Sequence, residues 1–146
     1  SELSRQGVEF IEQPLASENK DAQDRLFHES VLPLVADESC VAERDVMQCV
    51  GSFHGVNIKL SKCGGLTPAR RMINFARDHG LKVMVGCMTE SSVGISAAAQ
   101  LAPLIDYADL DGAVLLAEDT ANGVKLDRGS LIYPDLPGCG IYDFKG

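Results

Sequence analysis

The sequence predicts an α/β fold built on parallel strands. Three observations predict it: five short apolar runs rich in Val, Ile and Leu, segments with helical spacing between them, and a polar or charged residue closing each run. Most of the runs lack the polar alternation of a half-exposed sheet, as expected for strands covered on both faces.

In chain order, "SELSRQG" reads as the tail of a helix, and "VEFIEQ" as a first strand that ends on Glu12. A helix is expected over "SENKDAQDRLFHES", followed by a second strand, "PLVADES", carrying Asp37 at its end. "AERDVMQCVGSF" supplies the next helix and "GVNIKLS" the third strand, with Lys59 behind a β-branched run. The clearest helix is "LTPARRMINFARDHG". There Thr67 is placed to cap, Pro68 suits the first helical position, and Gly80 suits the exit. Ala69, Met72, Ile73 and Ala76 fall at i, i+3, i+4 and i+7 and form its apolar stripe. "LKVMVGCM" is the fourth strand, with Cys87 near its tip; "SSVGISAAAQLAPL" is a helix; "YADLDGAVLL" is the fifth strand, carrying Asp109 and Asp111. The remainder is rich in Gly, Pro and Asp and predicts turns with small β segments.

Glu12, Asp37, Lys59, Glu90 and Asp109 all fall at or just past strand ends, at intervals of 25, 22, 31 and 19 residues. One strand, one helix and two loops use about that much chain, so these side chains are expected on one rim of the sheet. In a TIM (β/α)8 barrel that rim carries the active site. Such a barrel needs eight strands and about 250 residues. Residues 1–146 are therefore expected to form a partial barrel, with its first strands upstream of Ser1. A doubly wound sheet gathers ligands similarly, but "KCGGL" matches neither GxGxxG nor a P-loop.

Composition narrows the function classes. Thirteen Lys and Arg against twenty-one Asp and Glu give a net charge of −8, with no basic patch, which disfavours nucleic acid. No run reaches the length of a membrane span and no signal-like start is present. The five cysteines include no CxxC pair, which argues against a disulfide framework and favours a cytoplasmic protein. His28, His54 and His79 form no zinc motif, and there is no GxSxG elbow.

The strand-end residues carry the chemistry. Glu12 and Asp37, on neighbouring tips, repel each other in a dry site unless a cation or proton lies between them, and a hard ion such as Mg²⁺ prefers oxygen ligands of this kind. Alternatively, Glu12 merely ends a strand and pairs with a basic residue. Lys59 is either a surface charge or, beside a cation, an amine of lowered pKa suited to general base catalysis. Lys62 faces solvent or supports a neighbouring group. Asp109 and Asp111 share a face if the strand runs through both, and would hold a ligand's ammonium, bind a second metal or cap a turn.

Taken in order, "IEQP", "ADES", "NIKLSKCGG", "VGCMTESSVGISAAA" and "DLDG" resemble the C-terminal part of the muconate-lactonizing subgroup of the enolase superfamily, with the dipeptide epimerases nearest. The resemblance implies a modified barrel with Glu12 and Asp37 as Mg²⁺ ligands and Lys59 as the acid/base. It further implies that Asp109 and Asp111 hold the free ammonium of a dipeptide substrate, and that Cys87 lines the substrate. The reaction it implies is epimerisation through α-proton abstraction and an enediolate. A third metal ligand, an opposing lysine and an N-terminal capping domain are expected outside the chain. An o-succinylbenzoate synthase or a muconate-type cycloisomerase uses the same metal and lysine without an ammonium anchor. From a different class, an acidic α/β association module needs none of this chemistry. The expected partner is a small-molecule dipeptide, with homo-oligomers open.

Overall fold

Each apolar run becomes a strand only where it meets a neighbour. The computed structural model describes residues 2–145; Ser1 and Gly146, the end positions of the expected 1–146 unit, lie outside the described residues. The order is α1 (Glu2–Arg5), β1 (Ile11–Glu12), α2 (Lys20–Glu29), β2 (Leu34–Ala36), α3 (Val46–Cys49), β3 (Gly55–Lys59), α4 (Leu60–Cys63), α5 (Leu66–Asp78), β4 (Lys82–Gly86), α6 (Ser92–Ala99) and β5 (Tyr107–Asp109). A small hairpin, β6 (Lys125–Asp127) and β7 (Ser130–Ile132), follows. Among the described residues no helix is long and apolar enough to cross a membrane.

The first five strands form one sheet in the order β1-β2-β3-β4-β5, every pair parallel. The expected five parallel strands alternating with helices are therefore found, curled into part of a barrel. The curl is explicit. Phe10, leading into β1, and Tyr107, on β5, sit at opposite edges of the sheet, yet their ring centroids are 4.7 Å apart. Only a sheet rolled toward closure brings its two edge strands into ring contact across the concave side.

Strand parity sorts the side chains. Leu34, Ala36, Val56, Ile58, Val83 and Val85 face outward and pack with the α5 stripe of Ala69, Met72, Ile73 and Ala76 and with Ile95, Ala98 and Ala99 of α6. Val35, Asn57 and Met84, of opposite parity, are buried on the concave side. Burying this much aliphatic surface between sheet and helices supplies the main driving force for the fold.

Two local expectations change. The α5 helix starts at Leu66 with Gly65 at its N-cap and no side-chain cap, so Thr67 and Pro68 lie inside its first turn. Gly64 and Gly65 (φ 92° and 118°) turn the chain directly from α4 into α5, leaving no extended residue for Thr67 to cap from. The fifth strand stops at Asp109, and a 3₁₀ turn over Gly112–Leu115 follows.

The opposite rim is pinned by Asp106. Its Oδ2 accepts from the buried Val83 N–H at 2.9 Å, and Lys82 Nζ and Arg77 lie at 3.0 and 3.3 Å from its oxygens. Burial alone would raise this carboxyl, but the Val83 N–H and the two cations outweigh it, so its pKa lies below the usual value. A depressed folded pKa contributes stability that is present above the unfolded value, about 3.9, and is lost as pH falls through the folded value. Asp106→Ala should cost about 1–3 kcal/mol at neutral pH, chiefly by orphaning Val83 N–H. In urea unfolding its deficit against the unaltered protein should shrink below about pH 4. A deficit constant down to pH 2 would contradict this role.

Candidate active site

The C-terminal ends of β1 to β5 gather the predicted residues. Asp37, one residue past β2, is the hub: Lys59 Nζ donates to its Oδ2 at 2.9 Å and Lys62 Nζ to its Oδ1 at 2.6 Å. The three side chains are 8%, 13% and 20% exposed for Asp37, Lys59 and Lys62, so the cluster is largely shielded from water. Lys62 arrives there because α4 begins directly after β3 and turns residue 62 back over the strand tip. Of the two placements open to Lys62, the structure gives the supporting one.

These charges set each other's protonation. Burial pushes the Asp37 carboxyl up, but hydrogen bonds from Lys62 and Lys59 and their charges outweigh it and hold the group below its usual value. Burial pushes Lys59 down, while the hydrogen bond and charge of Asp37, with Glu12 and Glu38 behind, drive it above its usual value. The expected fall in the Lys59 pKa belongs to an amine beside a bound cation; with Asp37 as its partner the shift is upward. Its nearest charged neighbour is a carboxylate, and the second ammonium sits on that carboxylate's other oxygen.

Glu12 is exposed at the end of β1, and its Oε1 accepts from Asn57 Nδ2 at 2.6 Å. The carboxylate is therefore steered by an amide and not by a basic residue. Asn57 belongs to β3, so the bond crosses over β2 on the concave side. Gln13, next along from Glu12, takes φ 37°, unusual for a side-chain-bearing residue and more so before proline. Its Oε1 accepts from Asp37 N–H at 2.9 Å and Ser39 N–H at 3.1 Å, which locks the β2 exit loop onto the β1 exit. Strain at such a site persists only where its surroundings over-determine it, and here two backbone donors do so.

The register continues the row. Lys59 pairs with Gly86, and Gly86 with Asp109. Paired residues of parallel strands project to the same side, so Lys59 and Asp109 flank a position that has no side chain. Asp109 and Asp111 are both exposed, but Asp111 lies past the strand end in helical backbone and the shared face expected of a continuous strand is not realised. Cys87 is half-buried beneath them, its Sγ accepting from Gly112 N–H at 3.3 Å. Burial pushes its thiol up, and Asp109, Asp111 and Glu90 add to that against the Gly112 bond. Gly112 is obligatory here, since a Cβ would collide with the Met88 carbonyl. Glu90 folds back to accept from Met88 N–H at 3.0 Å, in space that a side chain at Gly94 would fill. Asp119 accepts from Ser92 N–H at 2.9 Å and Ser92 Oγ at 2.6 Å, fastening the C-terminal segment to the start of α6.

Sequence reasoning missed Asn57, Gln13 and Gly86. Asn57 carried a usable signal, a polar residue inside a β-branched run and two before Lys59, hence on the same face. A cavity of about 390 Å³ between α2 and α3 includes Gln13 and Ser39 in its lining but neither Asp37 nor Lys59.

A family model described as "Enolase C-terminal domain-like" matches residues 1–142. An L-Ala-D/L-amino acid epimerase from Flavobacterium johnsoniae is 56% identical over 140 residues, covering 96% of this chain and 42% of that protein. The substrate-liganded L-Ala-D/L-Glu epimerase from Bacillus subtilis superposes with a TM-score of 0.87 at 30% identity, over 96% of this chain and 41% of its own. The dipeptide epimerase from Methylococcus capsulatus, complexed with Mg and the dipeptide L-Arg-D-Lys, gives 0.84 at 38% identity, over 95% and 41%. The chain thus spans about two fifths of the length of these relatives.

Proposed function

The chain belongs to the enolase C-terminal domain-like family, and on that footing we propose that it forms one face of the active site of a Mg²⁺-dependent dipeptide epimerase. The observation that carries the reading is the convergence on one rim of two carboxylates, a shielded ammonium and a further acid in register with it.

Glu12 and Asp37 fit the metal in kind, because both offer hard oxygen donors from adjacent strand tips. Among the described residues no group of three His, Cys, Asp or Glu gathers as a complete ligand set, so the other ligands come from water, substrate or residues beyond these 146. Bound there, Mg²⁺ supplies positive charge that stabilises the negative charge building on the substrate's terminal carboxylate as its α-proton leaves.

Within the chain, Lys59 is the acid/base. Epimerisation runs in both directions, so a residue on one face must give a proton in one and take it in the other. The Asp37 contact, made by the ammonium, describes the proton-giving state. As a neutral amine Lys59 takes the α-proton, leaving an enediolate that is reprotonated from the opposite face by a group outside the chain. Lys62 holds Asp37 throughout. Asp109, with Asp111, binds the free ammonium of the dipeptide, and Cys87 lines the space beside it. The likeness to epimerases of L-Ala-D/L-amino acid and other dipeptides supports a substrate of the Ala-Glu type.

The test is exchange in D₂O by the full-length protein across a dipeptide panel, with and without Mg²⁺. Deuterium at the carbon next to the terminal carboxylate, with both epimers formed only when Mg²⁺ is present, is expected. Turnover of a cycloisomerase or o-succinylbenzoate synthase substrate with no dipeptide exchange would replace the epimerase reading. No exchange or turnover of any kind would favour an association module.

A further inference from the structure

We propose that Asn57 is a positioning residue that aims Glu12 at the divalent ion, and that residue 86 is glycine to leave room for it. The inference rests on the metal reading of Glu12 given above.

Asn57 is 1% exposed, in the middle of the central strand of the sheet. A buried amide is costly unless its hydrogen bonds are made, and a packing role at this position would be met better by an apolar residue. Only half of the amide is satisfied: Nδ2 donates to Glu12 Oε1, while Oδ1 has no partner among the described residues. The strand thus keeps a partly unsatisfied polar group for the sake of one bond to a carboxylate two strands away. Glu12 itself is exposed, with three rotatable side-chain torsions, and holding such a side chain in one conformer costs up to about 2 kcal/mol. The charge-assisted bond at 2.6 Å offsets that cost and fixes one oxygen, so the other is presented in a defined direction.

Gly86 supplies the second, independent observation. Its backbone is not in the left-handed region, so no conformational demand requires glycine there. A Cβ at this position would instead lie 2.7 Å from Asn57 Oδ1 and 2.8 Å from Nδ2. Any side chain at 86 must displace the amide, and the amide has no slack while it holds Glu12. Asn57 and Gly86 are therefore one device on neighbouring strands.

A double-mutant cycle on the full-length protein, read as Mn²⁺ affinity by electron paramagnetic resonance with thermal unfolding alongside, tests this. Asn57→Ala should weaken Mn²⁺ binding about 10–100-fold, the range for groups that orient metal ligands. Gly86→Ala should weaken it comparably, and the double variant no more than Asn57→Ala alone. If Gly86→Ala does not fold, recovery of folding on adding Asn57→Ala carries the same conclusion. Binding by Asn57→Ala within twofold of the unaltered protein overturns the inference, and so do losses that simply add in the double variant. Both leave the metal reading standing if Glu12→Gln abolishes binding. No Mn²⁺ binding by the unaltered protein overturns both.

Discussion

Lys59→Arg in the full-length protein should fold, keep its ion pair with Asp37 and lose α-proton exchange by about 10²–10⁴-fold, the usual worth of a positioned acid/base. The substitution keeps the charge and removes the titration. Arginine preserves the positive charge that Asp37 accepts at 2.9 Å, and Lys62 continues to hold the other oxygen. Thermal stability should therefore shift by only a few degrees. A guanidinium does not give up its proton under protein conditions, so the substituted side chain cannot take the substrate's. Exchange retained within tenfold would mean that Lys59 is only a counter-ion of Asp37, and the proton-transfer role would pass to another group.

Asp109→Asn should lower kcat/KM for a dipeptide about 10²-fold, with the loss chiefly in KM, because a partly solvated ion pair to a substrate ammonium is replaced by a neutral contact. The register explains why Asp109 suits this task. Lys59 and Asp109 are separated by one intervening strand, so their Cα atoms are two strand spacings apart, about 9.5 Å. The position between them is Gly86, which puts nothing in the way. A substrate without an amine should be indifferent to Asp109→Asn. An equal loss for a dipeptide and for an N-acylated analogue would remove the ammonium-anchor role.

Much of this site is visible in the chain itself. The positions of Glu12, Asp37 and Lys59 at strand ends follow from where apolar runs stop, because a carboxylate or ammonium ends burial on both faces, whereas the stop at Asp109 is hidden by the apolar residues that follow it. The α5 stripe is likewise visible, since a 3.6-residue period leaves Ala69, Met72, Ile73 and Ala76 on one side, and all four are buried. What the sequence does not reveal is set by contacts between distant segments. The raised pKa of Lys59 depends on Asp37, 22 residues away, and the second cation on Asp37 depends on the turn of α4 that brings in Lys62. The left-handed backbone of Gln13 contradicts its local preference before Pro14 and makes sense only with Asp37 and Ser39 as its partners. The glycine at 86 reads as a strand end until Asn57 is placed against it. The misplaced Thr67 cap has a simpler cause: two successive glycines offered a helix start that the local capping pattern ignores.

If Glu12 and Asp37 jointly hold a divalent cation within reach of Lys59, anomalous diffraction from Mn²⁺-soaked crystals of the full-length protein should locate it. One strong peak is expected at about 2.1 Å from an oxygen of each carboxylate. A well-occupied peak elsewhere, with Asp37 still bound only to Lys59 and Lys62 and Glu12 only to Asn57, would contradict it.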